Sequence, residues 1–276
     1  MTPGVWIPVS IGVLAWLALV GVAWWITSCR IRGDDLRGGF FVRVMQLMAR
    51  FQHRVTYEGL EHVPTRVGDD WSTVGEPLIV ACNHTAGIDP LLVQAAITFE
   101  PRWMMAADMR APALEWFWRF AGIIFVDREE TGSEPLRTAI KHLKANRVIG
   151  IFPEAHIERP EKRLLPFKDG IGMMIRRTGA KVLPVVIEGT PQVDPAYASL
   201  WRTSRARVRF LPLVDYADRE MKPAEITRDL ERVFIEATGW PIADESPRLV
   251  DGWWAFPLLP GQDEADRYRI SLGGDS

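Results

Sequence analysis

The chain has 276 residues, 47% hydrophobic and 25% charged, an ordinary globular composition that excludes disordered, collagen-like and coiled-coil classes and suits one large domain or two small ones. With 33 Lys and Arg against 35 Asp and Glu the formal charge is −2, so no general excess of positive charge is present to grip nucleic acid, and any anion site is local. Two cysteines, Cys29 and Cys82, lie in or beside apolar runs; they make no disulfide framework and read as reduced, buried thiols.

From Met1 to Cys29 there is no Asp, Glu, Lys, Arg or His. The apolar run from Val5 to Ile26 is long enough to cross a bilayer as a helix. Trp6 and the pair Trp24, Trp25 near its ends stand about 28 Å apart at 1.5 Å per residue, close to a hydrocarbon thickness of ~30 Å. No basic residue precedes the run and no clear small-x-small cleavage site ends it, so residues 1–32 are expected to be an uncleaved transmembrane anchor with a basic flank rather than a signal peptide. Arg30, Arg32, Arg37 and Arg43 follow, and the positive-inside tendency assigns the rest of the chain to the cytoplasmic face of the membrane. Residues 33–56 come next. Phe40, Val44, Leu47, Met48, Phe51 and Val55 recur at helical spacing while Arg43, Arg50 and Arg54 share another face, which predicts a basic amphipathic helix, lying among lipid headgroups or packed on the domain core.

Beyond it, short apolar runs alternate with helical patterns, which predicts an α/β domain over 57–240 with a mainly parallel or mixed sheet flanked by helices. The strand candidates are Leu78 to Cys82, Trp103 to Ala106, Ile123 to Val126, Val148 to Phe152, Val182 to Ile187 and Val208 to Leu211. Helices are expected over Pro90 to Ile97, Ala113 to Phe120, Pro135 to Asn146, Ile171 to Thr178 and Ala224 to Thr238. The Gly- and Asp-bearing stretch Pro64 to Pro77 reads as an exposed loop. In the tail, 241–276, Trp253, Trp254, Phe256, Leu258 and Leu259 are broken by Pro257 and Pro260; this is too short to span a membrane and either covers the core or touches lipid.

Ligands of open α/β sheets bind at the carboxyl ends of strands. The run Leu78 to Cys82 leads directly into Asn83, His84, Thr85, Ala86, Gly87, Ile88, Asp89 and Pro90. His84 and Asp89 cannot share one face of a regular helix, since five steps of about 100° leave them some 140° apart, so the segment between them must turn. A turn lets Asp89 accept from one imidazole nitrogen, fix the tautomer and leave the other nitrogen as a general base. The alternative is that Asp89 caps a helix beginning at Pro90 and His84 is an incidental loop residue.

Asn83, His84 and Asp89 in this order resemble the first motif, NHxxxxD, of the glycerolipid acyltransferases, which include lysophosphatidic acid acyltransferase. Three further stretches are similar to that family's motifs, in order: Gly122 to Arg128; Phe152, Pro153 and Glu154; and Val182 to Thr190, an apolar strand containing Pro184. Tyr57 to Pro64 resembles the strand and turn that precede the first motif, so the likeness runs from about Val55 to Pro191. Four ordered motifs are far more specific than one. The resemblance implies that Arg128 helps hold an acceptor phosphate.

The third motif departs from the family, which usually has glycine, a small hydroxyl residue and arginine after the glutamate. Here the chain reads Ala155, His156, Ile157, and an arginine arrives two positions late as Arg159, followed by Lys162, Arg163 and Lys168. Arg159 with its basic neighbours can rebuild a phosphate site, or the stretch can be a solvated loop. Glu154 can accept from an acceptor hydroxyl, hold an arginine or cap a strand end. Asn83 and Thr85 are supporting residues that orient the turn or cap the next helix. Backbone amides after Asn83 are candidates for an oxyanion site. Pro184 inside an apolar strand suggests a bulge, and Cys82 a small buried residue rather than a nucleophile. No CxxC, HExxH or clustered His and Cys spacing indicates a metal, and no Walker or dinucleotide glycine fingerprint is present.

The resemblance implies a membrane-anchored O-acyltransferase that moves a fatty acyl group from an acyl-CoA or acyl carrier protein thioester to a lysophospholipid such as 1-acyl-glycerol-3-phosphate. The thioester is a co-substrate, no other cofactor is expected, and the partners are membrane lipid and the acyl donor, with no nucleic acid. His84 and Asp89 are the catalytic pair; Arg128, Glu154 and Arg159 bind the acceptor. Two other readings are a non-catalytic lipid-binding scaffold on a decayed acyltransferase fold and a thioester hydrolase. Headgroup, chain length, donor type and oligomeric state are not written in the sequence.

Overall fold

The uninterrupted apolar stretch Trp6–Thr27 forms a single helix, α1. In this computed structural model the described residues are 6–28, 36–68, 70, 72–127, 133–159, 162–250, 253–258 and 269–271. Cys29, Arg30, Arg32, Arg128, Leu259 and Pro260 lie outside them. The span Ser10–Thr27 of α1 is long and apolar enough to cross a membrane, and none of it is buried against the rest of the protein. Helix α2 (Leu36–Leu47) follows and ends in a π-helical turn, Met48–Gln52.

The amphipathic pattern of this segment resolves into two functions at once. Val42 and Ala49 are buried and Met45, Met48 and Val55 pack against the core, while Phe40, Leu47 and Phe51 stay exposed. Arg43 ties the helix back to the end of α1, donating from Nε to the Trp25 carbonyl (2.9 Å) and from Nη2 to Ser28 Oγ (2.8 Å).

Seven strands make the main sheet: β1 (Thr56–Glu58), β2 (Leu78–Cys82), β3 (Arg102–Ala106), β4 (Ile124–Val126), β5 (Val148–Ile151), β6 (Lys181–Glu188) and β7 (Arg207–Phe210). Their order is β1-β7-β6-β2-β5-β3-β4. β6, β2, β5, β3 and β4 run parallel, and β7 pairs antiparallel with β6 and parallel with β1. The sheet is thus mixed, with β2 at its centre. The helices are α3 (Asp89–Gln94), α4 (Glu115–Ala121), α5 (Ser133–Lys144), α6 (Gly170–Thr178) and α7 (Pro223–Thr238).

Alternation along β2 explains why it reads as a continuous apolar run. Leu78, Val80 and Cys82 enter one core layer with Leu92, Val93 and Ile88, while Ile79 and Ala81 enter the other with Ile140, Leu143, Ile171, Met174 and Leu230. A strand buried on both faces needs apolar residues at every position.

Pro184 sits in register opposite Ala81, and β6 carries no inserted residue there. The expected bulge lies on the neighbouring segment instead: between the bridges Val185–Phe210 and Val182–Val214, Leu183 and Pro184 face Leu211, Pro212 and Leu213. The carbonyl of Pro184 accepts from Leu211 N at 2.9 Å, so its nitrogen also faces the antiparallel neighbour. There the pairing with β7 has just ended at Val185, before an isolated bridge between Val182 and Val214. A missing N–H at this gap costs the ladder nothing.

Two features lay outside the strand pattern. β1 is only three residues long, and a small antiparallel sheet joins β8 (Arg248–Val250), β9 (Trp253–Ala255) and β10 (Arg269–Ser271) in the tail. Phe256, just after β9, packs with Leu165 and Ala243, so this part of the tail covers the domain.

Candidate active site

The carboxyl end of β2 delivers Asn83, whose side chain continues the sheet where the strands stop. Its Nδ2 donates to the Ile187 carbonyl (3.0 Å) and its Oδ1 accepts from Ile187 N (2.7 Å). A peptide-like amide at this position locks the start of the turn to β6 and leaves no buried polar group of its own unpaired.

The next residue, His84, is held by ring and backbone. Nδ1 donates to Asp89 Oδ2 at 3.0 Å, and the imidazole stacks on Phe152 with ring centres 4.1 Å apart. Phe152 in turn stacks on Trp103, and that seat exists because residue 150 is glycine: a Cβ there would collide with the Trp103 ring. With Nδ1 fixed as donor, Nε2 carries the lone pair. The His84 side chain keeps 11% of its surface and Asp89 none.

Asp89 opens α3, yet no side chain caps that helix. Its carboxylate reaches back into the turn instead. Oδ2 accepts from Thr85 N (2.7 Å) and Ala86 N (2.8 Å) as well as from His84, and Oδ1 accepts from Thr85 Oγ1 (3.2 Å). The helix-cap alternative is thereby replaced by a turn closed around one carboxylate. The amides of Thr85 and Ala86 face Asp89, and His84 N donates to Glu154 Oε1 at 2.9 Å, so these three amides are engaged by carboxylates and form no oxyanion site.

Glu154 follows β5 and is fully buried. Besides His84 N it accepts from Leu165 N through Oε2 (2.7 Å), which welds the first-motif turn to the segment after β5. The His84 carbonyl accepts from Glu158 N at 2.8 Å, so both backbone groups of His84 are clamped. Burial pushes the Glu154 carboxyl above its ordinary range against the pull of its two amide donors. Glu158 is pushed up further, first by burial and then by the neighbouring Glu154 and Asp89. Cys82 is completely buried, and burial followed by Asp89 raises its thiol well above the usual value, which makes it a packing residue rather than a nucleophile.

In the basic stretch after Glu154 the solvated-loop reading holds for the exposed Lys162 and Lys168 and fails for Arg159 and Arg163, which are 2% and 1% exposed. Arg159 Nη1 donates to the carbonyls of Thr85 (3.1 Å) and Glu158 (2.7 Å) and to Gln192 Oε1 (2.9 Å). Its Nη2 donates to the Val193 carbonyl and to Asp194 Oδ1, both at 3.2 Å. Gln192 Nε2 adds a second donor to the Thr85 carbonyl (2.8 Å), and Thr85 Oγ1 meets Thr190 Oγ1 at 2.5 Å. Arg163 Nη1 donates to the Pro257 carbonyl at 2.8 Å, and burial lowers its pKa to about 10. The tail and the segment after β6 roof these arginines over, a long-range effect that local charge patterning does not carry.

The structure thus gathers Asn83, His84, Thr85, Asp89, Glu154 and Arg159 at the carboxyl end of the central strands. Arg128, just beyond β4, lies outside the described residues. Thr190 and Gln192 were not singled out as site residues; their signal was position, immediately past the end of β6.

A family model described as Acyltransferase matches residues 54–188. The chain is thus similar to that acyltransferase family over just under half of its length. The match takes in β1 through β6 and therefore His84, Asp89 and Glu154. Among curated relatives, the acyltransferase is 25% identical over 218 residues to the bovine (Bos taurus) 1-acyl-sn-glycerol-3-phosphate acyltransferase alpha, covering 75% of this chain and 70% of the relative. It is 30% identical over 142 residues to the 1-acyl-sn-glycerol-3-phosphate acyltransferase of Borreliella burgdorferi, covering 50% and 52%. The solved 1-acyl-sn-glycerophosphate acyltransferase PlsC of Thermotoga maritima shares the fold, with a TM-score of 0.57, 21% identity, and coverage of 82% of this chain and 91% of that one.

Proposed function

We propose that this acyltransferase moves a fatty acyl group from an acyl thioester, carried by coenzyme A or acyl carrier protein, to the hydroxyl of a lysophospholipid such as 1-acyl-glycerol-3-phosphate. The observation that carries the mechanism is the imidazole of His84, held by Asp89 through Nδ1 at the carboxyl end of the central strand. Nε2 takes the acceptor hydroxyl proton as the oxygen attacks the thioester carbonyl. The tetrahedral intermediate collapses, the C–S bond breaks, and the imidazolium returns its proton to the departing thiolate. Asp89 stays ionised and stabilises the imidazolium. No acyl-enzyme forms, and a positioned base of this kind supplies roughly 10²- to 10⁴-fold.

In this reading Glu154 and Arg159 position the turn rather than touch the acceptor, because their polar groups face the protein's own backbone and side chains. Arg128 is the residue proposed to hold the acceptor phosphate, on the strength of the family resemblance. α1 anchors the protein in the membrane with the catalytic domain on the cytoplasmic face; its unburied apolar surface supports this placement.

The test is an assay of purified full-length protein with labelled acyl thioester and a panel of lysolipids, separating acylated lipid from free fatty acid. Acceptor-dependent transfer that disappears in His84→Ala is expected. Release of fatty acid regardless of acceptor would make the protein a hydrolase, and neither product would leave it a scaffold. Carbonate extraction and protease access to the C terminus in sealed vesicles test the anchor: full-length protein released by carbonate, or digested from the outer side, would overturn it.

A further inference from the structure

Tyr197 and Trp201 are 66% and 82% exposed, on a 3-10 helix, Ala196–Trp201, that follows β6. Two large aromatic rings held outward on an ordered segment have no role in the core. This segment is fastened to the active site on one side. A Cβ at Gly87, in the His84 turn, would come within 2.5 Å of the Ala196 carbonyl, and Arg159 ties Thr85 to the residues just before the 3-10 helix.

The other side is fastened to the end of α2. Gln52 Nε2 donates to the carbonyls of Leu200 (2.5 Å) and Arg202 (3.1 Å), Ser204 N donates to the Gln52 carbonyl, and His53 Nδ1 meets Ser204 Oγ. The exposed Phe40, Leu47 and Phe51 of α2 and its π-turn are spaced by seven and four positions and so share one face. α2 is in turn tied by Arg43 to the end of α1. An apolar, aromatic rim therefore runs from the end of α1 along α2 to Trp201.

Its charge is one-sided. Residues 36–57 and 196–214 contain four arginines each and no Asp or Glu, in a chain whose net charge is −2. Arg207 and Arg209 pair with Glu58 and Glu188, whereas Arg50, Arg54, Arg202 and Arg205 stand on the surface. Aromatic rings beside arginines, continuous with a lipid-length apolar helix, match the headgroup layer of a bilayer, where rings sit at the acyl boundary and arginines among phosphates.

We propose that the 3-10 segment Ala196–Trp201 is a second membrane contact, belonging to the catalytic domain itself, which seats Tyr197 and Trp201 in an anionic lipid surface and sets the mouth of the His84 turn against it. This rests on the membrane placement of α1 proposed above. A lipid acceptor then reaches the turn without leaving the bilayer, and movement of the segment on lipid is felt at Thr85 through Arg159 and Gln192.

Nitroxide labels test it in the full-length protein, carried on a Cys29→Ser background and reconstituted into vesicles of mixed zwitterionic and anionic phospholipid. Cys82 is buried, so labels go to Trp201→Cys, to Tyr197→Cys, to Leu17→Cys in α1 and to Arg177→Cys, an exposed position of α6, as the aqueous reference. Expected is a higher accessibility to oxygen than to a nickel chelate at 197, 201 and 17, and the reverse at 177. Lipid exposure at 17 with aqueous exposure at 197 and 201 would overturn this inference alone. Aqueous exposure at 17 would overturn the membrane placement and this inference with it. Protection from both probes at 201 would mean a protein neighbour and would equally overturn it. As a second reading, Arg202→Gln with Arg205→Gln is expected to cut turnover on anionic vesicles, relative to zwitterionic ones, by roughly tenfold; an unchanged ratio would remove the anionic surface as the occupant.

Discussion

The two strand-end segments that meet at the imidazole are built on opposite principles. In the turn from Asn83 to Asp89 the side-chain oxygens and amides close on one another: Asn83 on Ile187, Asp89 on three donors of the turn, Thr85 on Asp89 and Thr190. After β5, Glu154, Glu158, Arg159 and Arg163 are equally buried, but there the Glu158 carboxylate oxygens and the Nε and Nη2 of Arg163 make no hydrogen bond of ordinary geometry. A fully satisfied polar network has one low-energy arrangement and holds a catalytic group in place; a partly satisfied one is costly and depends on protonation. The first segment is therefore the one suited to the proposed chemistry, and the second holds the first in position while remaining sensitive to pH.

The sharpest way to break that comparison is to remove the group the turn presents. His84→Ala is expected to lower turnover by about 10²- to 10⁴-fold with little change in thermal unfolding, since the ring keeps some exposure and the backbone clamps survive. Asp89→Asn should lose less. Its carbonyl oxygen still accepts from Nδ1 and so keeps the tautomer, but the imidazolium loses its counter-charge. Turnover and unfolding measured on the same preparations decide: a well-folded His84→Ala protein with substantial activity would remove the catalytic assignment.

The same contrast shows what was legible in the sequence. β2, β5 and β6 stood out because burial on both faces forces unbroken apolar runs, and β2 was read at its observed limits, Leu78–Cys82. His84 and Asp89 were legible because a strand end followed by a His and an Asp five positions on requires a turn. β1 escaped the strand pattern because three residues carry no periodicity; only the family resemblance pointed to it. Arg159 and Arg163 escaped for a different reason. Their burial comes from Gln192, Asp194 and Pro257, more than thirty positions away in the chain, and local charge patterning sees only a basic run. Tyr197 and Trp201 belong to no motif or periodic run, and only the structure shows them turned outward.

Arg128 and Arg159 separate binding from positioning. If Arg128 holds the acceptor phosphate as proposed, Arg128→Ala removes its charge-assisted hydrogen bonds, so the acceptor KM is expected to rise, with a loss in acceptor kcat/KM of roughly tenfold to a hundredfold. Arg159→Ala leaves the Thr85 carbonyl with Gln192 as its one remaining side-chain donor and frees the residues around Asp194. Its expected mark is a fall in kcat of about tenfold, from a loosened turn, with the acceptor KM near wild type. Steady-state kinetics with the acceptor varied distinguish them: an acceptor KM that rises in Arg159→Ala as it does in Arg128→Ala would return Arg159 to the phosphate.

The smallest effect concerns stability, and it probes the unsatisfied segment alone. Burial, then the neighbouring Glu154 and Asp89, push the Glu158 carboxyl up from an ordinary 4.5 to about 10 in the folded protein. A raised folded value means that the native state keeps a proton the unfolded chain gives up, so between these two values stability falls as pH rises. The contribution is fully present below about pH 4.5 and is lost as pH climbs through about 10. Glu158→Gln keeps the shape of the neutral acid and cannot ionise. Its unfolding midpoint in detergent is expected to match wild type in mild acid and to exceed it increasingly from pH 7 to pH 10, while turnover at neutral pH changes little because the Glu158 backbone N–H, not its side chain, meets His84. Parallel pH–stability curves for the two proteins would show instead that Glu158 is already ionised and paired, and the distinction between a satisfied turn and an unsatisfied support would fail at its second half.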